Sequence, residues 1–304
     1  MLTVSNYHYI REDYSAPYPS IFGVTPTAFK QQLKLLKNEG DLITPSEFLA
    51  NYEELVASND NFFFITFDDG LKEQFDFALP ILDELGMQAI FFANSMNTEE
   101  NRVSTVHKIH LLRSVISSHV LLDYLKEQKI AMLTQEELQQ ATTNYRFDDA
   151  ASAELKYLLN FKISFDVQES LVQSIFEKHF SESEILVSLY MTKSQLQYLA
   201  NIDCLGSHTH THYPLGLLRE DKLIYELEHS KNYLEQLSGK AIQMIAYPYG
   251  TPEACTDLVA KTAKKVGYLY GFTTKKGIIE ESPNKLLLNR FDCNDVIGGK
   301  NFKL

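Results

Sequence analysis

The sequence predicts an α/β protein on a parallel sheet, doubly wound or closed as a barrel, with a helical insertion in its middle. Short apolar runs alternate with amphipathic helical segments on both sides of the middle, and the connections between them are short. Residues 98 to 198 break that alternation with sequence rich in Leu, Gln, Glu and Lys, few glycines and no strand pattern.

Taken in order, VSNYHYI (4–10) reads as an opening strand. Thr25-Pro26 starts a helix whose Phe29, Leu33 and Leu36 recur at helical spacing until Gly40. FFFITF (62–67) is a run of the kind buried on both faces of a sheet, and it ends in Asp68-Asp69-Gly70. A helix with Leu79, Leu82 and Leu85 follows and stops at Gly86, with Pro80 marking its first turn or a kink. AIFFANS (89–95) then completes a βαβ unit. After the insertion the expected elements are strand IDCLGS (202–207), helix Leu223 to Leu237 ending at Gly239, and strand QMIAYPYG (243–250). Helix CTDLVAKTAKKVG (255–267) and strands YLYGFTT (268–274) and LLLNRF (286–291) close the series. One domain over 1–304 with an insertion at 98–198 is therefore expected.

Composition narrows the class. Hydrophobic residues at 44% and charged residues at 22% are ordinary globular usage. A net charge of −12 without any basic run argues against nucleic acid. The start does not read as a secretory signal and no window is apolar enough to span a membrane, so a cytoplasmic protein without a membrane span is expected. Cys204, Cys255 and Cys293 are far apart and form no CxxC pair, which argues against disulfides and a thiolate metal site.

In a parallel barrel the strand ends converge on one rim, where catalytic groups gather. Three segments fall there: Asp68-Asp69, the histidines His208, His210 and His212, and Tyr247-Pro248-Tyr249-Gly250. Adjacent carboxylates at an apolar strand end need a partner or must neutralise, and a cation would serve; capping the next helix is the alternative. On a helical turn, His208 and His212 would share a face and His210 would point elsewhere; on an extended chain all three would align. Two imidazoles and a carboxylate leave a coordination position for water, the composition of a catalytic zinc site.

TFDDG (66–70), SHTHTH (207–212) and YPYG (247–250) together resemble the successive motifs of the polysaccharide deacetylase family, carbohydrate esterase family 4, across most of the chain apart from the insertion. The resemblance implies a distorted (β/α) barrel that hydrolyses an N-acetyl or, less often, O-acetyl group, so the partner is an N-acetylated sugar or saccharide. It implies one divalent metal, zinc foremost, on Asp69, His208 and His212. Asp68 would be the general base, and the Tyr249 N–H would help hold the oxyanion.

Three departures stand out. Ala246 occupies the position where the third motif has Arg; Arg290 is the candidate substitute, against an ordinary surface arginine. The chain has no Trp for the usual wall, and LLLNRF lacks the late histidine that supplies the general acid. His8 is the candidate acid, because VSNYHYI should end on the rim beside Asp68. It also resembles the Tyr-His opening of the poly-N-acetylglucosamine deacetylase branch, where motif order is permuted. His210 is the rival acid. The alternative functions are hydrolysis of another C–N bond, in a cyclic amide or ureide, and noncatalytic sugar binding. Neither the sugar nor an oligomeric state is written in the sequence, and the insertion is expected beside the rim, adjusting access.

Overall fold

The computed structural model describes residues 1–146, 148–279 and 284–303. The chain divides into two compact units, an α/β unit of Met1–Asp13, Gly23–Arg102 and Ile185–Leu304, and a helical unit of Tyr14–Phe22 and Val103–Glu184.

The α/β unit is built on the strands β1 (Leu2–Tyr7), β2 (Asp41–Leu42), β3 (Phe62–Phe67), β4 (Ile90–Ala93), β5 (Leu205–Ser207), β6 (Met244–Ala246), β7 (Tyr270–Phe272) and β8 (Phe291–Asp292). They pair in the order β7-β6-β5-β4-β3-β1-β8, with β2 also on β3. Every one of these pairings is parallel. Leu288 bridges Phe272 at one edge of this order, while Phe291, three residues on, pairs with Ser5 of β1 at the other. One short segment thus ties the two edges together, and the sheet is a distorted (β/α) barrel, as expected.

Because successive strand residues face opposite sides, the apolar runs supply two cores. Phe63, Ile65 and Phe67 join the helix-side core with Tyr7, Phe91 and Leu227. Phe64 joins the other core, with Val4, Phe92, Ala246, Phe272 and Leu288 drawn from five further segments, which makes this the barrel interior. The interior is plugged by the helix Pro45–Ala57, whose Phe48 stacks on Phe64 at 4.6 Å. That helix and β2 lie outside the predicted elements. The other helices lie where the periodicity puts them: Pro26–Glu39, capped by Thr25, then Leu79–Leu85, Glu220–Ser238 and Asp257–Val266. Pro80 falls in the first turn of its helix, after a π turn at Gln74–Ala78.

The helical unit contains Thr105–Val115, Ser118–Glu127, Gln135–Asn144, Ala150–Tyr157 and Phe165–Phe176. Buried Leu112, Leu121, Leu125, Leu155, Val172 and Ile175 form its interior. Residues 14–22 join it through the Tyr18 N–H, which donates to Ser114 O (3.1 Å), and the Ser20 hydroxyl, which donates to His110 O (2.8 Å). No helix among the described residues is long and apolar enough to cross a membrane.

Candidate metal centre and active site

The same period of two that fills the barrel also equips its rim. Inward-facing Phe64 is followed two residues on by Thr66 and then Asp68; inward Val4 is followed by Asn6, Phe92 by Asn94, Gly206 by His208 and Leu288 by Arg290. Apolar layers at the bottom thus give way to a polar layer at the strand ends.

Asp68 and Arg290 meet in that layer, both almost fully buried. The guanidinium donates from both terminal nitrogens to the two carboxylate oxygens at 2.8 Å each. Its Nε donates to Thr273 O (2.9 Å), and Nη1 donates also to Thr66 Oγ1 (3.2 Å). Asn6 Nδ2 donates a further bond to Asp68 Oδ2 (3.0 Å). Burial, the largest single influence, raises the Asp68 carboxyl, but the Arg290 charge and hydrogen bonds together with the neighbouring His208 and His8 outweigh it and hold the group below the usual carboxylate range. Arg290 is therefore not the surface residue that its sequence position also allowed. Ala246, where the arginine was expected, contributes its carbonyl to the His208 imidazole instead (Nδ1···O 2.8 Å).

That bond turns His208 Nε2 toward Asp69 Oδ1, 3.4 Å away, and His212 Nε2 approaches the same oxygen at 3.2 Å. Donors about 2.0–2.1 Å from a tetrahedral zinc ion lie roughly 3.4 Å apart, so the spacing fits such an ion. The charges fit as well. Arg290 pairs with one of two adjacent buried carboxylates, and the other, Asp69, belongs to a three-donor set of a kind that can hold a cation.

The His208–His212 approach is not a helical turn. Among the described residues seven non-glycines have positive φ, and four of them are Asp69 (79°), Thr209 (66°), His212 (67°) and Tyr249 (64°). Left-handed backbone at both Thr209 and His212 folds the histidine segment back on itself and turns His210 away. Such residues cost about 1–3 kcal/mol each and persist where surrounding contacts dictate them. The contacts here come from Glu226, which accepts from His210 N (3.0 Å), Thr211 N (2.9 Å) and Thr211 Oγ1 (2.6 Å), and from Asn94, whose Nδ2 donates to His208 O. Tyr249 sets its ring edge-on to His212 at 5.4 Å, and Gly250 beside it is also left-handed (φ 62°). A Cβ on Gly250 would come within 2.4 Å of Thr274 N, so only glycine fits there.

His8 follows β1 directly, and the register Tyr7↔Phe67 sets it beside Asp68. Its Nε2 is 3.8 Å from Asp68 Oδ2 and its side chain is 40% exposed. His210 instead contacts Ser95 and Glu100. Asn6, Asn94 and Glu226 did not emerge from the sequence as site residues. Asn6 and Asn94 had a readable signal in their strand-end positions, whereas Glu226 is one of several acids on its helix.

The structure is thus a parallel barrel with paired carboxylates and a two-histidine, one-carboxylate cluster at its strand ends. The sequence model of the polysaccharide deacetylase family matches residues 56–145 and 193–271, more than half of the chain, and the chain belongs to that family. The family's activity is hydrolytic deacetylation of carbohydrates. Among solved structures, the Streptococcus pyogenes deacetylase PplD in complex with acetate is similar with a TM-score of 0.59 at 19% identity, over 96% of this chain and 91% of that one. IcaB from Ammonifex degensii gives 0.55 at 16%, over 95% and 90%. A de-N-acetylase from Aggregatibacter actinomycetemcomitans gives 0.56 at 14%, over 96% and 95%. These likenesses are of fold. No curated protein matches the sequence.

Proposed function

We propose that the protein is a divalent-metal-dependent sugar N-deacetylase, with Asp69, His208 and His212 holding the metal, zinc by its donor set. The observation that carries this reading is the Asp68–Arg290 pair set beside that three-donor cluster on the barrel rim. When bound, a divalent cation polarises an acyl carbonyl and lowers the pKa of water toward neutrality. Asp68 takes the proton of the attacking water, and the two parallel Arg290 bonds keep its carboxylate ionised and aimed. Tyr249 offers its backbone N–H to the oxyanion from a left-handed turn. His8, partly exposed and next to Asp68, gives a proton to the departing amine. Supply of the guanidinium from just before the last strand and of the acid from just after the first supports a place in the branch with permuted motif order. The acetate bound to PplD, and the similarity to a de-N-acetylase from Aggregatibacter actinomycetemcomitans, support an acetamido substrate.

The test is acetate release from a panel of N-acetylated sugars by the metal-loaded protein, alongside Asp68→Asn. The variant should keep its metal and lose about 10²- to 10⁴-fold in rate, the usual worth of a general base. Turnover undiminished in Asp68→Asn at equal metal content would remove Asp68 from the mechanism. Release of ammonia or a ring-opened acid, without acetate, would reassign the C–N bond.

A further inference from the structure

We propose a second divalent-cation site, built by Glu99, His210 and His229 and separate from the Asp69 cluster. One carboxylate oxygen and one nitrogen from each imidazole lie within 4.8 Å of one another. The two rings stand 4.6 Å apart at 74°, nearly the arrangement of His208 and His212, at 4.9 Å and 73°. Glu99 Oε2 is 2.8 Å from His229 Nε2 and 3.9 Å from His210 Nδ1, so the carboxylate lies between the rings as Asp69 does in the first cluster.

The proton positions are set by Glu100. His210 Nε2 is 2.9 Å from Glu100 Oε1, and an ionised carboxylate only accepts, so Nε2 carries the hydrogen. Nδ1, 2.7 Å from Ser95 Oγ, is then the ring nitrogen left to face a cation. A carboxylate behind a histidine whose other nitrogen faces a metal is the usual outer-shell arrangement of zinc and related sites. His229 is fixed by Tyr225, one helical turn earlier, which stacks on it at 4.7 Å and 20°. The side chains of Glu99 and His229 are 30% and 32% exposed, so a hydrated ion can enter and keep water in its remaining positions.

Two imidazoles and one carboxylate suit zinc, cobalt or nickel; calcium and magnesium prefer oxygen donors throughout. A cation there would join the short helix Ser95–Glu99, the histidine segment 207–212 and the helix Glu220–Ser238. It would thereby stiffen the segment that presents His208 and His212.

Zinc titration of the full chain, read by elemental analysis, and cobalt loading, read by visible absorption, test the site without reference to activity. Wild type should take up about two equivalents, the second more weakly because two of its three donors are about a third exposed. His208→Ala/His212→Ala should keep one equivalent, and Glu99→Gln/His229→Ala should lose the weaker one only. Glu100→Gln should weaken the second equivalent about 10- to 100-fold and leave the first unchanged, an effect that a purely structural role would not produce. Saturation of folded wild type at one equivalent that Glu99→Gln/His229→Ala retains, or no binding by His208→Ala/His212→Ala with its fold intact by circular dichroism, would overturn the site and leave a hydrogen-bonded clamp.

Discussion

Arg290 and Asp68 illustrate how a buried charge pair can serve a site without strengthening the fold. Both ions lose their hydration, and their attraction recovers that cost only because each carboxylate oxygen receives its own N–H and the rest of the guanidinium is satisfied by Thr273 O and Thr66 Oγ1. Removing one partner leaves the other buried and unpaired. Arg290→Ala should therefore cost about 3–5 kcal/mol, read by amide hydrogen exchange in the strand Phe62–Phe67, and should cut activity in whatever folded protein remains. Arg290→Lys keeps the charge but loses the two-pronged geometry, so it should recover much of the stability and little of the rate. Equal recovery of both by lysine would mean that charge alone matters at Asp68. Position near the end of the last predicted strand makes Arg290 a candidate in the sequence, but not its pairing with Asp68, since 222 residues separate the two.

At the scale of elements, the histidine segment is held mostly from outside, by Ser95 N and Met96 N after β4 and by Ser230 and Glu226 of the helix Glu220–Ser238. Glu226 gives its two oxygens to three donors of His210 and Thr211, and these bonds fix the left-handed backbone at Thr209 and His212. Glu226→Gln reverses one acceptor to a donor, so metal affinity should fall about 10- to 100-fold, as for other residues that orient ligands. Unchanged affinity by zinc titration would show that Asn94 suffices. Much at this scale was readable beforehand. Strong periodicity located the strands FFFITF and AIFFANS and the helices closing at Gly86 and Gly239, because local pattern and tertiary burial agree there. The helix Pro45–Ala57 was overlooked although Thr44 and Glu47 form a capping box at its start, a signal of start chemistry rather than of periodicity. Its Thr44→Ala variant should lose about 1 kcal/mol. The turn of His208 to His212 was not legible, since positive φ at Thr209 and His212 follows from Glu226 and not from either residue's own preference.

For the whole chain, two compact units mean that unfolding has no guaranteed single transition, so stability should be read locally. The membership of residues 14–22 in the helical unit illustrates why the sequence alone divides such a chain imperfectly: the segment is short, and its anchors are Ser114 O and His110 O, backbone groups that carry no pattern. Within that unit Lys108 is buried and pairs with Glu182 at 2.7 Å, while Glu182 also accepts from Val103 N (2.8 Å) and Gln173 Nε2 (3.1 Å). Burial pushes the Glu182 carboxyl up, but the Lys108 bond and those two donors together hold it below its usual range. A carboxyl lowered in the folded state adds stability above its unfolded pKa, and that stability is lost as pH falls through the folded value. Glu182→Gln removes the ionised partner and leaves Lys108 buried, so it should cost the helical unit roughly 1–3 kcal/mol at neutral pH. Below about pH 4, where unfolded glutamate is protonated, the gap between wild type and variant should narrow toward zero. Amide hydrogen exchange in Thr105–Val115 and Phe165–Phe176 measures it, with the strand Phe62–Phe67 of the other unit as internal reference. A gap that stayed constant from pH 7 to pH 3 would assign the loss to packing of the Glu182 side chain rather than to its charge.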